Sequence, residues 1–134
     1  MDEILNFIFR YCSGFIKKYG FHVTDACISE SFGNAYIVFE NNNIVLQFTR
    51  DRGQLCLVFY SKYDKNKTNQ ISIAWIRQLV TGENEYHSFL DDDHGRFLEG
   101  HFDRIMQLFE KDNTSQTIEK LKILKRKRAK ALFG

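Results

Sequence analysis

Proline is absent from this chain of 134 residues. No helix or strand meets an obligatory breaker, so punctuation falls to eight glycines and to clusters of Asn and Asp. Cysteine is scarce. Cys12, Cys27 and Cys56 form no C-x-x-C pair, and three thiols cannot pair completely. Each lies in an apolar run, which predicts three small buried hydrophobes in a reducing cytoplasm. No run approaches the ~20 apolar residues of a membrane-spanning helix. The first residues carry neither the basic lead nor the small-residue cleavage site of a secretory signal. The expected localisation is therefore cytoplasmic, in soluble form. G-x-S-x-G, H-E-x-x-H, P-loop and dinucleotide fingerprints are all missing, and no cofactor or metal is expected.

Core-forming residues are plentiful. Hydrophobic residues make up 43% of the chain, and thirteen of its aromatics are Phe. A chain of this size buries roughly two-thirds of its unfolded surface, which predicts one domain, residues 1–134, with a continuous core.

Charge is unevenly spread. Residues 119–134 hold seven basic residues and one acid, a net +6, whereas the first 118 hold twelve basic and sixteen acidic residues, a net −4. The body is acidic and the tail basic.

Residues 2–19 have helical periodicity. Phe7, Tyr11, Ile4, Phe15, Ile8, Tyr19, Cys12, Leu5, Ile16 and Phe9 share one broad arc, and Gly20 suits a left-handed stop. Four strands follow, near 21–30, 34–40, 43–50 and 54–60. Ile44, Leu46 and Phe48 alternate with Val45, Gln47 and Thr49, and Leu55, Leu57 and Phe59 with Cys56, Val58 and Tyr60. Short connections at 31–33, 41–43 and 51–53 imply an antiparallel meander. Residues 71–81 fit a short helix better than a strand, with Gly82 as its stop. The Asp91–Asp93 run caps a helix over 91–110, and a basic helix runs over about 115–132. The expected class is α+β: an N-terminal helix, a four-stranded antiparallel meander, then three C-terminal helices packed on the sheet.

Candidate chemistry is sparse. His87, His94 and His101 recur every seven residues, but seven residues of helix rise ~10.5 Å, too far for neighbours to share a metal with bonds of ~2.1 Å. His101 falls among apolar positions and is expected to be a core histidine. Asp91–Asp93 lack the order and the distal Glu of a calcium loop. Cys12 and Cys56 lie in apolar settings that disfavour a reactive thiolate. Scattered groups such as His22 and Asp51 need only meet in space to form a catalytic pair.

Three segments remain as binding candidates. Glu83, Glu85, Tyr86, Phe89, Asp91, Asp92 and Asp93 combine acids with aromatics, a composition suited to a basic protein partner. Lys125, Arg126, Lys127 and Arg128 head a basic tail. It either contacts phosphates or lays long side chains over the core. In TRDRGQ, Gly53 is expected to supply a positive φ in a three-residue hairpin loop, with Asp51 capping the turn. Arg50 and Arg52 then form an exposed anion-recognising pair, or only wet the tip, or Arg50 turns inward to an acid.

The stretch FGNAYIVFENNNIVLQFTRDRGQLCLVFYS, the Trp75-Ile76-Arg77-Gln78-Leu79 segment and the terminal RAKALFG together resemble small bacterial proteins of poorly defined function. Some proteins of that kind are immunity proteins encoded beside polymorphic or contact-dependent toxins. The resemblance covers residues 31–134 and is most specific at Arg50-Asp51-Arg52-Gly53-Gln54. It implies a non-enzymatic cytoplasmic protein whose partner is another protein, such as a toxin domain, with no membrane partner. The alternative is a nucleic-acid-binding module that uses the basic helix and the Arg50/Arg52 tip.

Overall fold

The computed structural model describes residues 1–29, 33–64, 69–84 and 87–133. The elements follow the order α1 (Asp2–Phe7), a π-helical turn (Ile8–Cys12), α2 (Ser13–Lys18), β1 (His22–Ile28), β2 (Ala35–Glu40), β3 (Ile44–Asp51), β4 (Gln54–Ser61), β5 (Ile71–Ser72), α3 (Ile73–Thr81), α4 (Asp92–Leu108) and α5 (Thr114–Phe133). The fold is α+β, as the periodicities predict. The five strands are antiparallel and lie in chain order, β1-β2-β3-β4-β5. The expected end of the first strand at Glu30, the loop residues Ser31 and Phe32, and the terminal Gly134 lie outside the described residues.

Alternation puts one face of the meander into the core. Ala35, Ile37 and Phe39 of β2, Ile44, Leu46 and Phe48 of β3, and Leu57 and Phe59 of β4 are buried. Against them pack Ile4, Phe7, Ile8, Cys12 and Phe15 of the N-terminal helix, and Phe97, Leu98, Phe102 and Ile105 of α4. Aromatic rings link the elements: Phe15 of α2 stacks on Phe102 of α4 with centroids 3.8 Å apart, and Phe59 of β4 stacks on Phe109 at 5.9 Å. Each such side chain contributes about 1.5–3 kcal/mol when fully buried.

The N-terminal helix carries one extra residue in its π turn, and the Ser13 hydroxyl donates to Phe9 O at 3.1 Å there. The core stripe is narrower than the wheel predicts. Leu5 and Phe9, at the edges of the arc, are exposed, Phe9 by 81%. His101 is likewise exposed, because the packed arc of α4 centres on Leu98, Phe102 and Ile105. The buried histidine is His94, one turn after the N-cap. The thiol expectation is also corrected. Cys12 is buried, Cys56 half-buried and Cys27 exposed on the sheet's edge strand.

Two boundaries shift. Residues 71–81 begin with the two-residue strand β5, which pairs with Val58 and Phe59 of β4 before α3 starts. Gly82 then ends α3 in the left-handed region, its N–H donating to Gln78 O at 2.8 Å. The β3–β4 loop contains two residues, not three. Asp51 pairs with Gln54, and Arg52 and Gly53 both take positive φ, 53° and 82°. That is the turn whose twist matches a hairpin, and Asp51 belongs to the ladder rather than capping the loop.

Asn41 holds the β2–β3 corner to both helical elements. Its Oδ1 accepts from Asn43 N and Ile44 N, each at 2.9 Å, while Nδ2 donates to Tyr19 O at 3.0 Å and to Met106 Sδ of α4 at 3.8 Å. Thr114 and Thr117 anchor α5 in the same manner. Thr114 Oγ1 lies 3.0 Å from Ser61 Oγ, and Thr117 Oγ1 donates to Leu108 O at 2.6 Å.

Candidate functional site

The hairpin tip is a joint in the fold. Arg50 Nε lies 3.1 Å from Glu3 Oε2, and its Nη1 donates to Gly33 O at 2.9 Å. The inward alternative is the one adopted, with the acid supplied by α1. Gly33 itself takes a φ of 63°, and a Cβ there would meet the Arg50 guanidinium. Arg52 is exposed, and its backbone N–H donates to Asn34 Oδ1 at 3.1 Å. The two guanidiniums therefore do not form a matched anion clamp, because Arg50 is committed to the body.

The acidic segment is also drawn into local structure. Asp91 is the N-cap of α4: its Oδ1 accepts from His94 N at 2.9 Å and lies 3.2 Å from His94 Nδ1. Its other oxygen lies 3.7 Å from His87 Nε2. Asp92 accepts from the Tyr11 hydroxyl at 2.8 Å, a bond that holds the Tyr11 pKa above the ordinary phenol value. Asp93 pairs with Arg96 at 2.6 Å. Glu83 is exposed and Phe89 is 45% exposed, whereas Glu85 and Tyr86 lie outside the described residues.

The basic tail divides. Arg128 stacks over the Trp75 ring at 5.0 Å and Lys125 approaches the same ring at 6.0 Å. For these two, the expectation of long side chains laid over the body holds. Arg126 and Lys127 are exposed, as are Lys120, Lys122 and Lys130. Beyond Leu121 no α5 residue is buried, and Leu132 and Phe133 are exposed.

Groups suited to catalysis stay apart. His22 and Asp51 occupy opposite ends of the sheet, since His22 shares a row with Glu40 and Val45, and Asp51 lies six residues further along β3. That separation is roughly 20 Å at strand spacing. Burial pushes the Cys12 thiol far up and the Cys56 thiol in the same direction, which opposes thiolate chemistry. A groove of about 520 Å³ separates the N-terminal helix from α4, with Arg10 and Lys18 facing Glu99 and Asp103 around Phe9 and Phe102. Among the described residues, no three His, Cys, Asp or Glu side chains converge as metal ligands. No helix of the described residues is long and apolar enough to cross a membrane.

An open surface lies on the sheet. β1 is an edge strand, and all seven of its residues are exposed. Val23, Ala26 and Ile28 share rows with the core residues Phe39, Ile37 and Ala35, so they lie on the helix-facing side of the sheet. The helical layer nevertheless leaves Val23 52% and Ile28 64% exposed. The opposite face continues onto β2, β3 and β4 as three half-buried rows: Tyr36-Thr49-Cys56, Val38-Gln47-Val58 and Glu40-Val45-Tyr60. Glu40 is their single charge, and Lys62 Nζ neutralises it at 3.0 Å. Hydrogen bonds from Thr24 and Lys62 hold its carboxyl below the ordinary range. Sequence reasoning missed this surface because a break in alternation at Thr24-Asp25 marks an irregular register, not exposure. Exposure of a strand depends on how far the helical layer reaches, which is a tertiary fact.

Comparison of the chain with protein-family models, curated proteins and solved structures gives no match.

Proposed function

We propose that this chain is a non-enzymatic protein-binding domain that receives an extended segment of its partner along β1. The observation that carries this reading is an edge strand exposed on both faces, with Val23 and Ile28 uncovered. Such an edge offers a ladder of backbone donors and acceptors, and alternate side chains of an added strand would meet the apolar pair. Stable monomers blunt their edges with lysine, proline, bulges or cover. β1 has an irregular register between Val23 and Asp25 but carries no lysine or proline, and its formal charge is Asp25, held by the Tyr36 hydroxyl at 3.0 Å.

The resemblance over residues 31–134 supplies the kind of partner: a bacterial toxin domain, with this chain as its cytoplasmic immunity-type inhibitor. Glu83 and Phe89 are available for a peripheral contact with a basic partner. Asp91, Asp92 and Asp93 serve the α4 cap and its ion pairs first, so their replacement would report on stability more than on binding.

The test compares the wild-type chain with the Val23→Lys/Ile28→Lys variant as bait for the product of an adjacent toxin gene. Both positions are exposed, so the variant should melt with the wild type. At about 0.5 M NaCl, where exposed charges are screened within a few ångströms, wild type should retain the toxin and the variant should lose it. Equal retention by both, or none by wild type, would refute the proposal.

A further inference from the structure

The five exposed cations of α5 that do not rest on Trp75 form a surface of their own. Lys122, Arg126 and Lys130 recur every fourth residue, which places them along one helix face at steps of about 6 Å. Lys127 and Lys120 flank that line. The opposite side faces the body through Thr114, Thr117, Leu121 and the half-buried Leu124 and Arg128. Arg128 and Lys125 rest on Trp75, so the remaining cations stand on the solvent side rather than around the whole helix.

We propose that this solvent face of α5 docks on the phosphate backbone of double-stranded DNA, independently of any protein partner at β1. Three observations select DNA among polyanions. The cations are carried on a rigid helix from which, beyond Leu121, nothing is buried, and a helix of about 10–12 Å matches a major groove of about 12 Å. The exposed apolar residues of α5, Ile123, Leu132 and Phe133, are spaced around the helix and make no single apolar face, as lying in a lipid surface would require. The rest of the chain is net negative, so α5 alone attracts a polyanion and fixes the orientation of docking. Nothing in the arrangement reads bases, so the expected binding is independent of sequence.

The experiment is fluorescence anisotropy of a labelled random-sequence duplex of about 20 base pairs, titrated with the full chain from about 50 to about 200 mM NaCl. Five phosphate contacts predict a slope of log K against log salt of about −4.5, hence a loss of a hundredfold or more in affinity over that range. The Lys122→Gln/Arg126→Gln/Lys130→Gln variant should lower the magnitude of the slope by about 3. Lys17→Gln/Lys18→Gln, at the end of α2, should leave it unchanged. Failure of the wild type to bind at the lowest salt, unchanged binding by the α5 variant, or binding only to phosphatidylserine vesicles would each overturn the proposal. Circular dichroism of the α5 variant confirms that its helix persists, since the three positions are exposed.

Discussion

Gly95 of α4 lies directly against the ring of Tyr11, and a Cβ at that position would clash with the ring carbons Cγ, Cδ2 and Cε2. The contact locks the π-helical turn onto α4, and the Tyr11 hydroxyl completes it by donating to Asp92. Propensity alone favours Gly95→Ala by about 1 kcal/mol. Overpacking against a ring held at both ends costs about 1–3 kcal/mol. The expected result is net destabilisation, measured by urea unfolding. In a Tyr11→Ala background the same substitution should become neutral or stabilising. A gain in stability from Gly95→Ala alone would show that the ring moves freely.

Asn41 offers a second test of how the layers are joined. Its amide oxygen and nitrogen serve different elements, so its substitutions separate two roles. Asn41→Asp keeps the acceptor to Asn43 and Ile44 but loses donation to Tyr19 O. Asn41→Ala loses both and leaves buried groups unsatisfied, at a cost of about 1–3 kcal/mol. The order of stability should be wild type, then Asp, then Ala near neutral pH. Equal melting of Ala and wild type would remove Asn41 from the account.

Arg52 is a non-glycine residue at positive φ. Asn tolerates that conformation better and is favoured before Gly in this turn. Arg52→Asn should stabilise the chain by about 0.5–1 kcal/mol. Arg50→Ala should do the opposite, because it removes the tie between Glu3 and Gly33. The pair of variants distinguishes a hairpin corner from a binding tip: both should leave partner affinity unchanged.

The three thiols should separate in labelling rate. Cys27 reacts first, Cys56 later, and Cys12 only on unfolding. Burial raises the folded pKa of Cys12 above the unfolded value of about 8.5. Its share of stability is therefore complete below that pH and declines above it, as the unfolded chain ionises first. Urea midpoints at about pH 7 and about pH 9.5 should show a smaller alkaline loss in Cys12→Ala than in wild type. An equal loss would assign the decline to other groups.

Much of the architecture was legible because its signals are local. Period-two alternation in β3 and β4, the Asp91 cap and the Gly82 stop each depend on a few neighbouring residues. What was not legible depends on distance between elements. The wheel could not tell that Phe9 and His101 fall just outside their packed stripes. The break in alternation at Thr24-Asp25 sets β1 apart from β2, but it does not say that the helix-side residues of β1 stay uncovered while those of β2 are buried. The partners of the charged candidates were hidden for the same reason. Arg50 looked surplus in sequence because its partners, Glu3 and Gly33, are distant in the chain. Asp91–Asp93 were legible as the cap of α4, but the bond from Tyr11 to Asp92 spans the fold and was not. Lys125 and Arg128 found Trp75, about fifty residues earlier in the chain, and so exposed the remaining basic face of α5.

The central claim is that β1 is where a protein partner docks. Its most direct test places a photo-cross-linking residue at Ile28 and, as a control, at Glu99 on α4, in cells that also express the proposed toxin partner. The account predicts one discrete adduct with the toxin from position 28 and none from position 99. Adducts from position 99 alone, or none from position 28 while the toxin is still neutralised, would contradict it.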